Sequence, residues 1–177
     1  QRARIFNIKS SVMDFFEMVS NYQIQLRKHF RSYPELISFS SEYFYENSLQ
    51  PLKIRAKPIK DVIEFRPIEH DGLLDLARNT NQLEADAIIE ELLSMLDAGA
   101  EHTAGVITPH TEQQTLISRL VTDHERGDEL RKKLRLKIIT FDTCQGEERD
   151  VVLYSLVATR EKDRLGGIFL RSIEKFD

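Results

Sequence analysis

Three polar segments of this chain carry residue types that could do chemistry. The first is His29-Phe30-Arg31, a ring and a guanidinium just ahead of Pro34. The second is Thr108-Pro109-His110. The third is the elbow Thr140–Asp150, which holds Asp142, Gln145, Gly146 and Glu148. Each follows a short apolar run, and loops that leave the carboxyl ends of parallel strands are where α/β proteins bind ligands. The elbow is the richest of the three. Its flanks, Lys137–Phe141 and Val151–Leu156, read as β-branched strands buried on both faces.

The usual self-contained sites are not spelled out. His29, His70, His102, His110 and His124 show no metal-ligand spacing to one another or to Cys144, so no metal site is expected. The chain has no Gly-x-Ser-x-Gly elbow and no G-x-G-x-x-G. It also has no G-x-x-x-x-G-K-[ST] loop, the piece that would cradle a nucleotide's phosphates on its own.

The elements that must position these segments alternate between helix and strand. Ser10 or Ser11 caps an expected helix over Val12–Val19, and Gln23–Ser32 opens as a short alternating strand and turns polar. Pro34 suits the first turn of a helix over Glu35–Tyr45. Asp61–Phe65 alternates like a strand, and a polar loop follows to Thr80. Thr80 or Asn81 caps a long helix, Gln82–Leu96, with Leu83, Ala87, Ile88, Leu92 and Met95 as its expected buried stripe and Gly99 as its stop. Ala104–Thr108 reads as a strand and Glu112–Val121 as a helix. Arg126–Arg135 is charged and expected to be exposed. This alternation predicts an α/β fold, a parallel sheet flanked by helices, in one domain over residues 1–177. Residues 1–22 form its lead-in helix and 158–177 its tail.

Composition sets the outer limits. At 177 residues, 41% hydrophobic and 31% charged, the chain is an ordinary globular one, with no apolar run of the roughly 18 residues a membrane span needs. A net charge of -4 argues against binding nucleic acid by bulk charge alone. The basic residues do cluster, in Lys53, Arg55, Lys57 and Lys60 and again in Arg131, Lys132, Lys133, Arg135 and Lys137. The single Cys144 cannot form an internal disulfide, which fits a reducing cytosol, and the start at Gln1 fits a piece of something longer.

Taken in order, the three segments resemble a specific family. Leu26-x-x-His29-Phe30-Arg31-x-x-Pro34 is similar to the Q-Y-R-M-H-P motif of superfamily 1 helicases of the Upf1/Dna2-like branch, and Phe39-Ser40-x-x-x-Phe44-Tyr45 to its continuation. Val106-Ile107-Thr108-Pro109-His110-x-x-Gln113 resembles their V-I-T-P-Y-x-x-Q. Thr140-x-Asp142-x-x-Gln145-Gly146-x-Glu148-x-Asp150-Val151-Val152 resembles their motif V.

The resemblance implies a second, C-terminal RecA-like domain, P-loop NTPase-like in fold but without its own Walker loop. ATP with Mg²⁺ would be held mainly by the first RecA-like domain of the same parent chain. Arg31 would be the catalytic arginine at the γ-phosphate. Phe30, Gln145, Gly146 and Glu148 would contact the nucleotide, with Phe30 stacking near adenine and Glu148 accepting from the ribose. Thr108, Pro109, His110, Thr140 and Asp142 would face single-stranded nucleic acid, and the basic clusters are candidates for the same groove. The expected compartment is cytoplasmic and no membrane contact is implied. His29, Tyr33 and His110 depart from the family's glutamine, histidine and tyrosine. The final arginine motif is not visible, and Val157-Ala158-Thr159-Arg160 reads as a strand end. These departures keep open an alternative, a catalytically inactive RecA-like binding or scaffold module.

Overall fold

The computed structural model describes residues 11–53, 62–68, 79–99 and 101–157. The chain divides into two compact units, Gln1–Arg66 and Pro67–Asp177. It is α/β, with parallel strand pairing and flanking helices, as the alternation of elements leads one to expect.

In the first unit, helix α1 spans Val12–Val19. Its N-terminus is a capping box, in which Ser11 Oγ accepts from Asp14 N at 3.1 Å and Asp14 Oδ2 accepts from Ser11 N at 2.8 Å. Its apolar residues are all exposed among the described residues. Strand β1, Lys28–His29, pairs in parallel with β2, Gln50–Pro51. Parallel partners need a crossover of a dozen or more residues, and α2, Pro34–Phe44, supplies it. Asn47 turns the chain back from α2, with φ 57° and its N–H donated to Ser41 O at 2.7 Å. The expected strand Asp61–Phe65 is not formed over its described residues, and Ile63 and Phe65 are exposed. Alternation alone does not make a strand; a ladder partner is needed, and none pairs with this stretch among the described residues.

In the second unit, helix α3 spans Gln82–Asp97, capped by Asn81 Oδ1, which accepts from Glu84 N at 3.1 Å. It ends where Gly99 adopts φ +65°. Strand β3, Ala104–Thr108, leads through α4, Thr111–Asp123, and α5, Gly127–Lys133, into β4, Lys137–Thr140. Strand β5, Val151–Tyr154, pairs on the other side of β3, giving a parallel order β4-β3-β5.

The core lies on one face of this sheet. Ala104 and Val106 pack with Ile88, Leu92, Ile117, Val121, Leu130 and Leu134. Leu92, Ile117, Leu130 and Leu134 are fully buried, each contributing about 1.5–3 kcal/mol. Two sequence expectations are corrected. The buried stripe of α3 is Ala85, Ile88, Ile89, Leu92 and Leu96, rotated so that Leu83, Ala87 and Met95 are only half-buried. The segment 126–135 is not simply exposed, because Leu130 and Leu134 anchor it in the core. Central β3 is almost wholly buried, whereas edge strands β4 and β5, the two runs expected to be buried on both faces, are not. Lys137 is exposed and Ile138 and Ile139 are half-buried in β4, and one face is open in β5. Its Val152 and Tyr154, in register with Gly105 and Ile107, remain exposed.

Candidate functional site

Arg31 and Phe30 belong to the first unit and stand on its surface, Phe30 at 69% exposure. They follow β1 in a loop that ends at Tyr33, the extended residue preceding α2. His29 Nε2 accepts the N–H of Ser32 at 2.9 Å across this loop. Lys53, just beyond β2, donates to Arg31 O at 3.2 Å, with its ammonium 4.6 Å from the centre of the Tyr33 ring.

In the second unit Thr108 ends β3 and is fully buried, and its hydroxyl has no hydrogen-bond partner among the described residues. Pro109 is buried as well, while His110 is half-buried at the N-cap of α4. Three residues on, Gln113 is buried in a polar network with Asn81, Ser155 and Glu84, of which only Asn81 was expected to have a role, as a cap. Its Nε2 donates to Asn81 O and to Ser155 Oγ, both at 3.0 Å, and its Oε1 accepts from Asn81 N at 2.8 Å. Ser155 Oγ in turn donates to Glu84 Oε2 at 2.7 Å, which also accepts the N–H of Val157 at 3.0 Å. One amide thus ties the start of α3, the start of α4 and the exit of β5. The only signal in the sequence was the capping pattern Asn81-x-x-Glu84 and the Gln at the end of the second motif.

The elbow between β4 and β5 is built from its own polar side chains. Thr143 Oγ1 accepts from Thr140 N at 3.1 Å and lies 3.0 Å from Thr140 Oγ1, closing a single 3₁₀ turn over Phe141–Thr143. The Cys144 thiol donates to Phe141 O at 3.0 Å. Glu147 N donates to Cys144 O at 3.1 Å, which makes Gln145 and Gly146 the centre of a tight turn. Gly146 has φ +80°, and a Cβ there would meet nothing within 4 Å, so the turn stands in open space. A positive φ at the third residue of such a turn requires glycine or asparagine. Gln145, Gly146, Glu148 and Asp142 are exposed, and Thr140 is buried at the base.

The elbow's return is anchored too. Asp150 Oδ2 accepts from Thr103 N at 2.8 Å and from Thr103 Oγ1 at 2.7 Å, and Asp150 N donates back to Thr103 Oγ1 at 3.0 Å. The Arg149 stem lies across Gly105 of β3, its Cγ 3.1 Å from where a Cβ would stand. Arg149 also pairs with Glu147 at 3.1 Å, and Lys137 pairs with the same carboxylate. The Lys137 hydrogen bond is the main cause that holds the Glu147 carboxyl below its ordinary value of 4.5, assisted by the charge of Arg149. Burial, and then the nearby Cys144, raise the Tyr154 phenol above its ordinary value of 10.0.

Of the second basic cluster, Lys137 reaches the elbow through Glu147. Lys137 begins β4 and Thr140 ends it, so about 10 Å of strand separates them. Arg131 donates to Thr122 Oγ1 at 2.5 Å and Lys133 pairs with Glu129 at 2.7 Å, so these charges brace helices α4 and α5. Of the first cluster, Arg55, Lys57 and Lys60 lie outside the described residues, as do residues 158–177 with the strand-end segment Ala158-Thr159-Arg160. Among the described residues no group of three or more His, Cys, Asp or Glu could hold a metal ion, and no helix is long and apolar enough to cross a membrane.

The family model described as AAA domain matches residues 8–176. The ATP-dependent helicase NAM7 of Saccharomyces cerevisiae is 27% identical over 97% of this chain, and ATP-dependent helicase upf1 of Schizosaccharomyces pombe 22% over 94%. The Drosophila melanogaster regulator of nonsense transcripts 1 homolog is 24% identical over 94%. The chain spans 19%, 19% and 15% of the lengths of these relatives, respectively.

Proposed function

The chain belongs to the AAA-domain family as a Upf1-like superfamily 1 helicase domain, and on that premise we propose that it is the second RecA-like domain of an ATP-dependent helicase or translocase. It supplies half of an interdomain ATP site and part of a track for single-stranded nucleic acid. The observation that carries this proposal is the elbow. Its tip, Gln145-Gly146 with Glu148, is exposed and open to close approach, while Thr140, Asp150 and Arg149 fix its two ends to the sheet. Such a tip suits the sugar and base of a nucleotide whose phosphates and Mg²⁺ are held by another domain. Glu148 accepts from the ribose, Gln145 and Gly146 line the approach, and the exposed Phe30 ring offers a stacking face for the base.

Arg31 is the catalytic group in this proposal. A positioned guanidinium stabilises the charge that develops during phosphoryl transfer, and such an arginine is worth on the order of 10³–10⁵ in rate. The nucleic-acid contacts fall to His110 and Asp142 at the surface, with Pro109, Thr108 and Thr140 beneath them. Thr108 and Thr140 would reach phosphate only on a shift of the segments covering them. The compartment is a reducing one in which Cys144 stays a free thiol.

Replacing Arg31 by alanine in the full-length protein is expected to lower ATP turnover by about 10³-fold or more while ATP binding persists. Unchanged turnover would refute the assignment. The isolated chain is expected to hydrolyse no ATP, because its sequence contains no phosphate-cradling loop. Complete burial of the Thr108 hydroxyl favours a second reading, an inactive RecA-like binding module. That reading requires full-length protein that binds nucleic acid with no ATP turnover at all.

A further inference from the structure

We propose that His29 and Lys53 are positioning residues for the Arg31 guanidinium, acting together on the single peptide group that joins Arg31 to Ser32. The inference rests on the role given to Arg31 above. The reach of an exposed arginine depends on the backbone torsions that launch it. Here both polar ends of peptide 31–32 are taken up by side chains. Its N–H is donated to His29 Nε2 at 2.9 Å, and its C=O accepts from Lys53 Nζ at 3.2 Å. The two bonds grip one plane from opposite ends, which fixes ψ at Arg31 and φ at Ser32.

Each clamp arm is itself held. His29 is the last residue of β1, and Pro51, its partner in register, ends β2 two residues before Lys53. The pairing is closed by Leu52 N donating to His29 O at 2.8 Å, so both arms spring from one strand pair. The Lys53 ammonium rests 4.6 Å from the centre of the Tyr33 ring, a cation–π attraction. Tyr33 thus contributes a ring face to the clamp. Lys53, read from the sequence as a candidate for the nucleic-acid groove, is bonded to the loop that carries Arg31.

Accepting an N–H needs only a lone pair at the right reach, and a glutamine side-chain oxygen at position 29 offers one. A clamp of this kind acts on rate and not on substrate affinity, because a misplacement near 1 Å costs about 10²-fold in a reaction that depends on geometry. The decisive experiment compares kcat and KM for ATP in the full-length protein with His29→Ala, His29→Gln, Lys53→Met and Arg31→Ala. His29→Ala and Lys53→Met are expected to lower kcat on the order of 10- to 100-fold with KM unchanged, and His29→Gln to restore most of the rate. Wild-type kcat in both His29→Ala and Lys53→Met, with Arg31→Ala inactive, overturns the clamp and leaves the role of Arg31 intact. His29→Gln as impaired as His29→Ala also overturns it. Full turnover in Arg31→Ala overturns the underlying function and the clamp with it. If His29→Ala does not fold, Lys53→Met decides, since Lys53 is exposed.

Discussion

Gly127 and Gly146 are both required, for opposite reasons. A Cβ at Gly127 would lie 1.9 Å from Val121 O, a backbone atom that cannot swing away. At Gly146 nothing stands within 4 Å, but φ is +80°. Gly127→Ala is therefore expected to cost about 3 kcal/mol, the upper end of what forced overpacking costs, and to shift the urea midpoint strongly. Gly146→Ala is expected to cost only about 1–2 kcal/mol, the penalty of a left-handed L-residue, and to leave a folded chain with an altered elbow. Equal effects on the midpoint would contradict this distinction. Gln113 is a third such position. Gln113→Leu keeps the volume but leaves the buried Asn81 N–H without its acceptor. It also takes one hydrogen bond each from Asn81 O and Ser155 Oγ, which keep Ala85 N and Glu84 as partners; the unpaired N–H costs about 1–3 kcal/mol. A loss below about 1 kcal/mol in denaturant unfolding would show that water takes over these bonds.

At the scale of elements, the ion pairs brace the joints between secondary structures. Arg126 bridges Asp97 at the end of α3, at 2.7 Å, and Glu129 in α5, at 3.0 Å. Lys133 is the main cause that holds Glu129 below its ordinary 4.5, ahead of Arg126, and Lys137 does the same for Glu147 at the elbow. A carboxylate depressed in the folded state contributes stability that is present above its unfolded value. That stability is lost as the pH falls through the folded value, so the window lies from about 4.5 downward. Replacing Lys133 and Lys137 by methionine is expected to shrink the loss of thermal midpoint between neutral pH and pH below this window. High salt should shrink it likewise, because these pairs are solvent-exposed. An unaltered acid profile in the double variant would show that other carboxylates govern it.

For the molecule as a whole, the strand order β4-β3-β5 makes the elbow necessary. A chain leaving the carboxyl end of β4 must return to the amino end of β5 on the far side of β3, and residues 141–150 make that journey along the face that carries Gly105 and Arg149. The amino-acid order by itself determined the α/β class, the span of β3 and the elbow as a polar loop between two apolar runs, and it narrowed the caps of α1 and α3 to two neighbouring residues each. These are local: periodicity, capping pairs and turn residues act within a few positions. Tertiary structure alone decided which face of α3 is buried, that Leu130 and Leu134 belong to the core, and that the alternating stretch ending at Phe65 is not a strand. It also decided that Thr108 lies buried beneath its loop, that Gln113 and Glu84 tie three elements together, and that His29 and Lys53 grip one peptide. Each of these depends on what stands opposite a residue across tens of positions of sequence, and burial, pairing and hydrogen bonding at that range are properties of the packed chain.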